Sequence, residues 1–108
     1  MLERTLEINR LFDFYGPLLT EKQRFVIEQY FQKDWSLAEI ATELDCSRQA
    51  IHDKIGRSCA KLREYEQLLG LRGRHEKRRR ILIELRDNLQ DPVDVSEMRK
   101  LLSVLLEE

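Results

Sequence analysis

The stretch LAEIATELDCSRQAIHDKIGRSCAKL, residues 37–62, decides the fold of this 108-residue chain. Ser36 stands before it and Glu39 lies three residues further on, which is the pattern of a capping box that begins a helix. Apolar residues then recur at helical spacing, and after a two-residue turn Ser47 caps a second helix. Two helices joined by so short a turn predict a helix-turn-helix, in which the small side chain of Ala41 lets the backbones approach.

The outer side of the second helix carries side chains suited to the edges of bases. Arginine can bind guanine through two hydrogen bonds, glutamine can bind adenine in the same way, and aspartate can accept a hydrogen bond from cytosine. We therefore predict base contacts by Arg48, Gln49, His52 and Asp53. The alternatives are that these residues form an ordinary solvated helix start and that Asp53 only neutralises a neighbour.

Charge is distributed unevenly along the chain. Positions 1–46 have a net charge of −4, positions 47–86 of +7, and positions 87–108 of −4, within a formal total of −1. This segregation predicts a basic binding surface with acidic flanks, although solvated helix faces are an alternative. We expect phosphate contacts from helix-start hydroxyls and basic side chains: Ser36, Ser47, Lys54, Arg57, Lys61, Arg63, Arg78, Arg79 and Arg80.

Two further helices are predicted ahead of the motif. The first covers residues 2–15 and ends at Gly16 and Pro17. Thr20 begins the second, with Gln23 in position to complete another capping box. The predicted inward side chains of the first helix are Leu6, Leu11, Phe12 and Tyr15.

The second helix of the motif is predicted to be long, running from Arg48 to Leu69. Gly56 interrupts the pattern, but a glycine costs only about 1 kcal/mol inside a helix. Gly70 is well placed as a left-handed C-cap, and Gly70 and Gly73 together are expected to mark the end of the helix. A strongly basic segment, residues 72–80, follows.

The rest of the chain is predicted to be a helical extension rich in leucine. Asp91 and Pro92 should interrupt it, and Ser96 should start a last helix. We expect residues 1–70 to form the helix-turn-helix domain and residues 71–108 to form the extension. Its apolar faces predict a homo-oligomer, most simply a dimer, held by Leu85, Leu89, Met98, Leu101, Leu102 and Leu105.

Several functional classes find no support in the sequence. Cys46 and Cys59 have no CxxC spacing, and we expect both to be small buried hydrophobic side chains in a cytoplasmic protein. We predict no metal and no cofactor. No catalytic constellation or glycine-rich phosphate loop is present, so we predict that the chain is not an enzyme. Its charged start is unlike a signal peptide, and no apolar run reaches the ~20 residues that cross a bilayer.

Residues 18–65 resemble region 4 of bacterial sigma factors, in the elements LLTEKQRFV, SLAEIATEL and the capped helix ending in KLR. That resemblance implies an all-α bundle around a helix-turn-helix, here followed by a two-helix C-terminal extension. Region 4 reads promoter elements and docks on RNA polymerase. Two differences separate this chain from a sigma factor. Gln49 and Ala50 stand where housekeeping factors have an acid and an arginine, and no sigma region 2 is present. The resemblance therefore does not imply that this chain recognises promoters.

The whole chain resembles the small YlxM-like family of bacterial proteins more closely. The resemblance lies in LFDFYGPLLT, residues 11–20, with KQ at residues 22–23, and in SLAEIA, SRQA and the D-x-I that follows. Proteins of this family are encoded beside the genes for the signal recognition particle. The resemblance implies a DNA-binding regulator with a part in that secretion pathway.

The sequence therefore predicts a DNA-binding regulatory protein as the leading function. One alternative is RNA binding, in which residues 72–80 grip signal recognition particle RNA or a messenger RNA. Another is a protein adaptor that does not bind nucleic acid.

Overall fold

The computed structural model describes residues 2–89 and 93–107, and every regular element in these residues is a helix. The predicted all-α class with a helix-turn-helix bundle is confirmed. The chain divides into two compact units, Met1–Gly70 and Leu71–Glu108, here called unit 1 and unit 2.

Unit 1 contains four α-helices, a 3₁₀ turn and a π-helical turn. The caps predicted from the sequence begin three of these helices. Thr20 and Ser36 each form a capping box, and Oγ of Ser47 accepts a hydrogen bond from the backbone N–H of Ala50 at 3.0 Å. The helices are α1 (Leu2–Tyr15), α2 (Glu21–Ile27), α3 (Leu37–Leu44) and α4 (Arg48–Leu69), with the 3₁₀ turn at Gly16–Leu18 and the π turn at Glu28–Gln32.

The core of unit 1 is built around α4, which packs against α1, α2 and α3. From α1 the buried side chains are Ile8, Leu11 and Tyr15, while Leu6 is 47% exposed. The prediction that Leu6 points inward was wrong. Leu6 is two residues from Ile8, which places it about 200° away around the helix. The buried side chains that α4 adds are Ile51, Ile55, Ser58, Cys59 and Leu62.

An irregular connection sets where α3 begins. After the π turn, Asp34 adopts a left-handed backbone with φ 62°, and the N–H of Trp35 donates to the carbonyl of Gln29 at 2.9 Å. The Trp35 ring meets Phe25 edge-on at 6.2 Å and packs against the core. This anchor holds Ser36 in position to cap the first helix of the motif.

The two cysteines lie in different environments. Cys59 is buried in the core, as predicted, and burial raises the pKa of its thiol. Cys46 is exposed, so the prediction that it is buried was wrong. It lies in the turn between two capped helices, where the backbone runs over the surface and offers the side chain no cover.

Unit 2 contains α5 (Leu71–Asp87) and α6 (Val95–Leu106), which pack against each other. Gly73 lies inside α5, so the prediction that it marks a helix end was wrong; Gly70, with φ 63°, already provides the stop. The N-cap of α6 is Asp94 instead of a start at Ser96, and its carboxylate accepts from the N–H of Glu97 at 3.1 Å. The predicted break at Asp91 and Pro92 lies outside the described residues.

Candidate nucleic-acid interface

The turn between α3 and α4 is tight because its backbone is hydrogen-bonded to α3. Asp45 has a left-handed backbone with φ 54°, which aspartate tolerates better than most residues. The N–H of Cys46 donates to the carbonyl of Ala41 at 3.0 Å. Ala41 is buried, in keeping with a close approach of the two helices. The chain then enters α4 directly after Ser47.

The start of α4 lies at the surface of unit 1, beside the start of α3. An open groove of about 520 Å³ lies there, lined by Leu37, Ser47, Arg48, Gln49 and His52. The structure therefore brings three of the predicted base-contacting side chains together with one predicted phosphate-contacting hydroxyl. Leu37 was not predicted as part of this surface, because its helical spacing indicated a core role.

Asp53, the fourth predicted base contact, is engaged with its neighbours on α4. Nε2 of Gln49 donates to Oδ1 of Asp53 at 3.0 Å, and Nδ1 of His52 lies 3.6 Å from the same oxygen. All three side chains are exposed. The arrangement lets Asp53 orient the two side chains beside it, whether or not it also contacts a base.

The two capping serines differ as sites for a phosphate. Each hydroxyl oxygen accepts from a backbone N–H, and the hydroxyl hydrogen of Ser47 can still be donated to a phosphate. Beside Ser36 stands the Glu39 carboxylate, whose pKa is lowered by hydrogen bonds from the backbone and side chain of Ser36. That negative charge opposes a phosphate there. The first turn of α4 contains no acidic residue, so the α4 start at Ser47 is the more favourable of the two.

The predicted phosphate contacts further along α4 are not equivalent. Arg57 is exposed and Lys54 is half-buried. Lys61 lies 3.6 Å from Glu64 and over the ring of Tyr65. Nε of Arg63 donates to Glu7 of α1 at 2.8 Å, so this guanidinium also ties two helices together.

In unit 2, Arg78, Arg79 and Arg80 are all exposed along α5. Of the residues predicted to hold an oligomer together, Leu101 is only 8% exposed and has little surface left for a second copy. Leu85, Met98 and Leu105 are half-buried, whereas Leu89 and Leu102 are exposed. Val95 and Leu106 were not predicted, yet they are exposed on the same side of α6 as Leu102, at i, i+7 and i+11.

The comparison with known families decides where this helix-turn-helix belongs. The sequence model of the family UPF0122, described as "Putative helix-turn-helix protein, YlxM / p13 like", matches residues 2–102. The chain belongs to this family. Its UPF0122 relatives include a protein of Halalkalibacterium halodurans, 48% identical over 105 residues that cover 97% of this chain and 96% of the relative.

Two further UPF0122 proteins are similar over most of their length. The protein of Symbiobacterium thermophilum is 52% identical over 98 residues, which cover 91% of each chain. That of Shouchella clausii is 56% identical over 86 residues, covering 80% of this chain and 79% of the relative. The resemblance to YlxM-like proteins is thereby confirmed, and the UPF0122 description names a helix-turn-helix protein and no enzyme.

Two other features bear on what this UPF0122 chain can bind. Within residues 2–89 and 93–107, no three His, Cys, Asp or Glu side chains come together in a way that could hold a metal ion. None of the helices in the described part of the chain is both long and apolar enough to cross a membrane.

Proposed function

We propose that the protein is a DNA-binding regulator that places the start of α4 in the major groove. The observation that carries this proposal is the open groove at that helix start, where Arg48, Gln49 and His52 are brought together on a helix-turn-helix. Membership of a family of helix-turn-helix proteins supports it. In such a motif the second helix lies in the major groove and its first residues contact base edges.

Base recognition and backbone anchoring fall to different groups of unit 1. Arg48 and Gln49 offer the donors and acceptors that guanine and adenine require, and Asp53 holds the amide of Gln49. The hydroxyl of Ser47 and the N–H groups at the α4 start can hold a phosphate oxygen. Arg57, which is exposed further along α4, can contact another phosphate. The bases then supply specificity and the phosphates supply register and most of the affinity.

The proposal extends to the role of the protein in the cell. We propose that it acts in the cytoplasm on transcription, with genes of the signal recognition particle pathway among its targets. The support for this step is the resemblance to YlxM-like proteins, which are encoded beside genes for that particle. The competing functions are RNA binding and the role of a protein adaptor that binds no nucleic acid. The first experiment is designed to distinguish the proposal from both.

That experiment is a competitive selection with the purified full-length chain. Fragmented genomic DNA and total cellular RNA from the same bacterium compete at about physiological salt, and retained molecules are sequenced. The control variant is Lys33→Ala, a change at an exposed lysine that lies before the helix-turn-helix. The proposal is supported if a few DNA sites that share a motif are retained by the wild type and by Lys33→Ala, and are lost with the Arg48→Ala, Gln49→Ala double variant. Retention of one structured RNA, or of no nucleic acid, overturns it and moves the function to RNA or to a protein partner.

We also propose that the chain is a homodimer assembled through α6. Val95, Leu102 and Leu106 are 61%, 49% and 85% exposed and stand on one side of the helix. Covering such a stripe with the same stripe of a second copy removes apolar surface from water, at about 25 cal/mol per Å². A twofold dimer would present two α4 helices to a near-palindromic site.

Sedimentation at micromolar concentration tests the dimer. Leu102→Asp should give a monomer, while the matched change Ser103→Asp, which adds the same charge on another side of α6, should leave the dimer. A wild-type chain that sediments as a monomer overturns the proposal.

A further inference from the structure

The groove at the start of α4 contains one apolar side chain among polar ones. Its lining residues are Leu37, Ser47, Arg48, Gln49 and His52. The polar members belong to α4 and its cap, and the proposed function gives them base edges and a phosphate to contact. Leu37 belongs to the other helix of the motif, where it is the first residue of α3. The proposed function leaves this residue without a role.

Leu37 is held by the core of unit 1 but is not covered by it. The side chain is half-buried and packs against the hydrophobic cluster of that core. The Cα–Cβ bond of a helical residue tilts toward the N-terminus of its helix, and the first residue has no preceding turn on which to lie. The part of Leu37 that stays exposed therefore lines the groove at the start of α3. Because packing already fixes this side chain, a further contact costs it little conformational freedom.

One feature of the major groove suits an apolar side chain. The major-groove edges of the four ordinary bases present hydrogen-bond donors and acceptors, and thymine alone adds an apolar group, its C5 methyl. Polar side chains such as Arg48 and Gln49 match the donors and acceptors. An apolar side chain beside them matches the methyl of thymine and no other base.

The position of Leu37 brings it to the bases instead of the phosphates alone. In a helix-turn-helix the first helix crosses the DNA backbone while the second enters the major groove. Here the first residue of α3 lines the same groove as the first residues of α4, so the two helix starts face one surface. A base that Leu37 contacts should therefore lie within the few base pairs that Arg48 and Gln49 read.

We infer that Leu37 is a specificity-determining residue, which contacts the C5 methyl of a thymine within the base pairs read by Arg48 and Gln49. The inference rests on the proposed function, because it requires the start of α4 to lie in the major groove of DNA. It adds a base contact that comes from α3 and that involves no hydrogen bond.

Replacement of thymine by uracil tests the inference, because it removes the C5 methyl and keeps every hydrogen-bonding group of the base. The thymines of a DNA site retained in the genomic selection are replaced one at a time. Fluorescence anisotropy with the full-length chain then gives the affinity for each duplex. One replacement should weaken wild-type binding about fourfold, the loss expected for one buried methyl group. Leu37→Ala should bind the thymine and uracil duplexes equally well.

Leu44→Ala is the matched control. Leu44 is the last residue of α3, is also half-buried and packs against the same cluster, but it does not line this groove. This variant should keep the wild-type preference for thymine. Each protein is compared with itself on two duplexes, so a loss of folded protein changes both affinities alike and cancels in their ratio. If Leu37→Ala does not fold, the smaller truncation Leu37→Val replaces it and should lower the preference.

Two results overturn the inference and leave the proposed function in place: a wild-type chain that binds every uracil duplex as tightly as the thymine duplex, and a preference that the Leu37 variant keeps in full. Equal loss of the preference in the Leu37 variant and Leu44→Ala also overturns it, because the packing of α3 and not the methyl contact would then set the preference. A selection that retains no DNA site overturns the proposed function and this inference together.

Discussion

The side-chain amide of Gln49 donates a hydrogen bond from Nε2 to Oδ1 of Asp53, 3.0 Å away and one turn further along α4. A carboxylate only accepts hydrogen bonds, so the amide nitrogen and not the amide oxygen must face Asp53. The second hydrogen on Nε2 and the oxygen Oε1 then remain for a partner. One donor and one acceptor are what the major-groove edge of adenine requires.

Asp53→Ala should reduce discrimination at the base pair recognised by Gln49 without abolishing DNA binding. Gln49→Ala should remove that discrimination, which is worth about 1–3 kcal/mol, and Asp53→Ala a part of it. Affinities for the selected site and for its single-base variants measure both effects. A change of recognition at a different base pair in Asp53→Ala would show instead that Asp53 contacts a base itself.

Arg57→Ala should lower the salt dependence of DNA binding more than Arg63→Ala. Arg57 is exposed, whereas Arg63 must leave its 2.8 Å ion pair with Glu7 to reach a phosphate. The slope of log affinity against log salt falls by about 0.9 for each phosphate that is no longer neutralised. Binding isotherms at several salt concentrations give the slopes.

The control for this comparison is stability. The Arg63–Glu7 pair is half exposed to solvent, so its removal should change the free energy of unfolding by no more than about 1 kcal/mol. If Arg63→Ala lowers the salt slope as much as Arg57→Ala, the ion pair opens readily and Arg63 is a phosphate contact.

Substitution by alanine should change the stability of the protein in opposite directions at two glycines, one inside α4 and one at its end. At Gly56, inside α4, an added Cβ meets nothing within 4 Å, so Gly56→Ala should stabilise by about 0.5–1 kcal/mol. Gly70 has φ 63°, where a Cβ is strained, so Gly70→Ala should destabilise by about 1–2 kcal/mol. Urea unfolding gives both values. A neutral or stabilising effect of Gly70→Ala would mean that Gly70 does not hold the left-handed cap.

The two thiols should react at very different rates in the folded protein. The thiolate is the reactive form of cysteine. Because burial raises the pKa of the Cys59 thiol, a smaller fraction of Cys59 is ionised at a given pH than for a thiol with the ordinary pKa. Dithionitrobenzoate should therefore modify Cys46 rapidly and Cys59 only after unfolding. The rate at Cys59 should stay low as the pH rises through about 8.5, the ordinary thiol pKa, because burial holds the pKa of Cys59 above its usual value.

Cys46→Ser provides the control for the thiol experiment, because it should abolish the fast phase and leave the slow one. A fast phase that survives this substitution would show that Cys59 is accessible and that the core opens around it.

Local patterns explain which parts of the fold were predictable. Capping boxes, C-caps and turn lengths involve residues no more than about four apart, so Ser36, Ser47 and Gly70 could be assigned from their neighbours alone. The burial of Leu6 and Cys46 could not be predicted in this way, because an apolar residue near a core need not face it. Whether such a side chain is buried depends on which side of its helix the rest of the molecule covers.

The candidate site was predictable to a similar degree. The side chains at the start of α4 follow from the position of Ser47, and their solvent exposure follows from the spacing of the buried residues of α4. The sequence left open whether Asp53 contacts cytosine or engages a neighbour, and the i, i+4 spacing of Gln49 and Asp53 could have identified one such neighbour. Val95 and Leu106, which share one side of α6 with Leu102, were missed because α6 is apolar on more than one side.

The sequence by itself determined that this chain is helical, where α3 and α4 begin, and which side chains lie at the start of α4, because each of these depends on contacts within one or two turns. The tertiary structure decided which charged and polar groups are already engaged by distant partners. Arg63 meets Glu7, 56 residues away, and the hydroxyl of Tyr15 donates to Glu66, 51 residues away. Such pairs arise from the packing of α1 against α4, which no local spacing encodes.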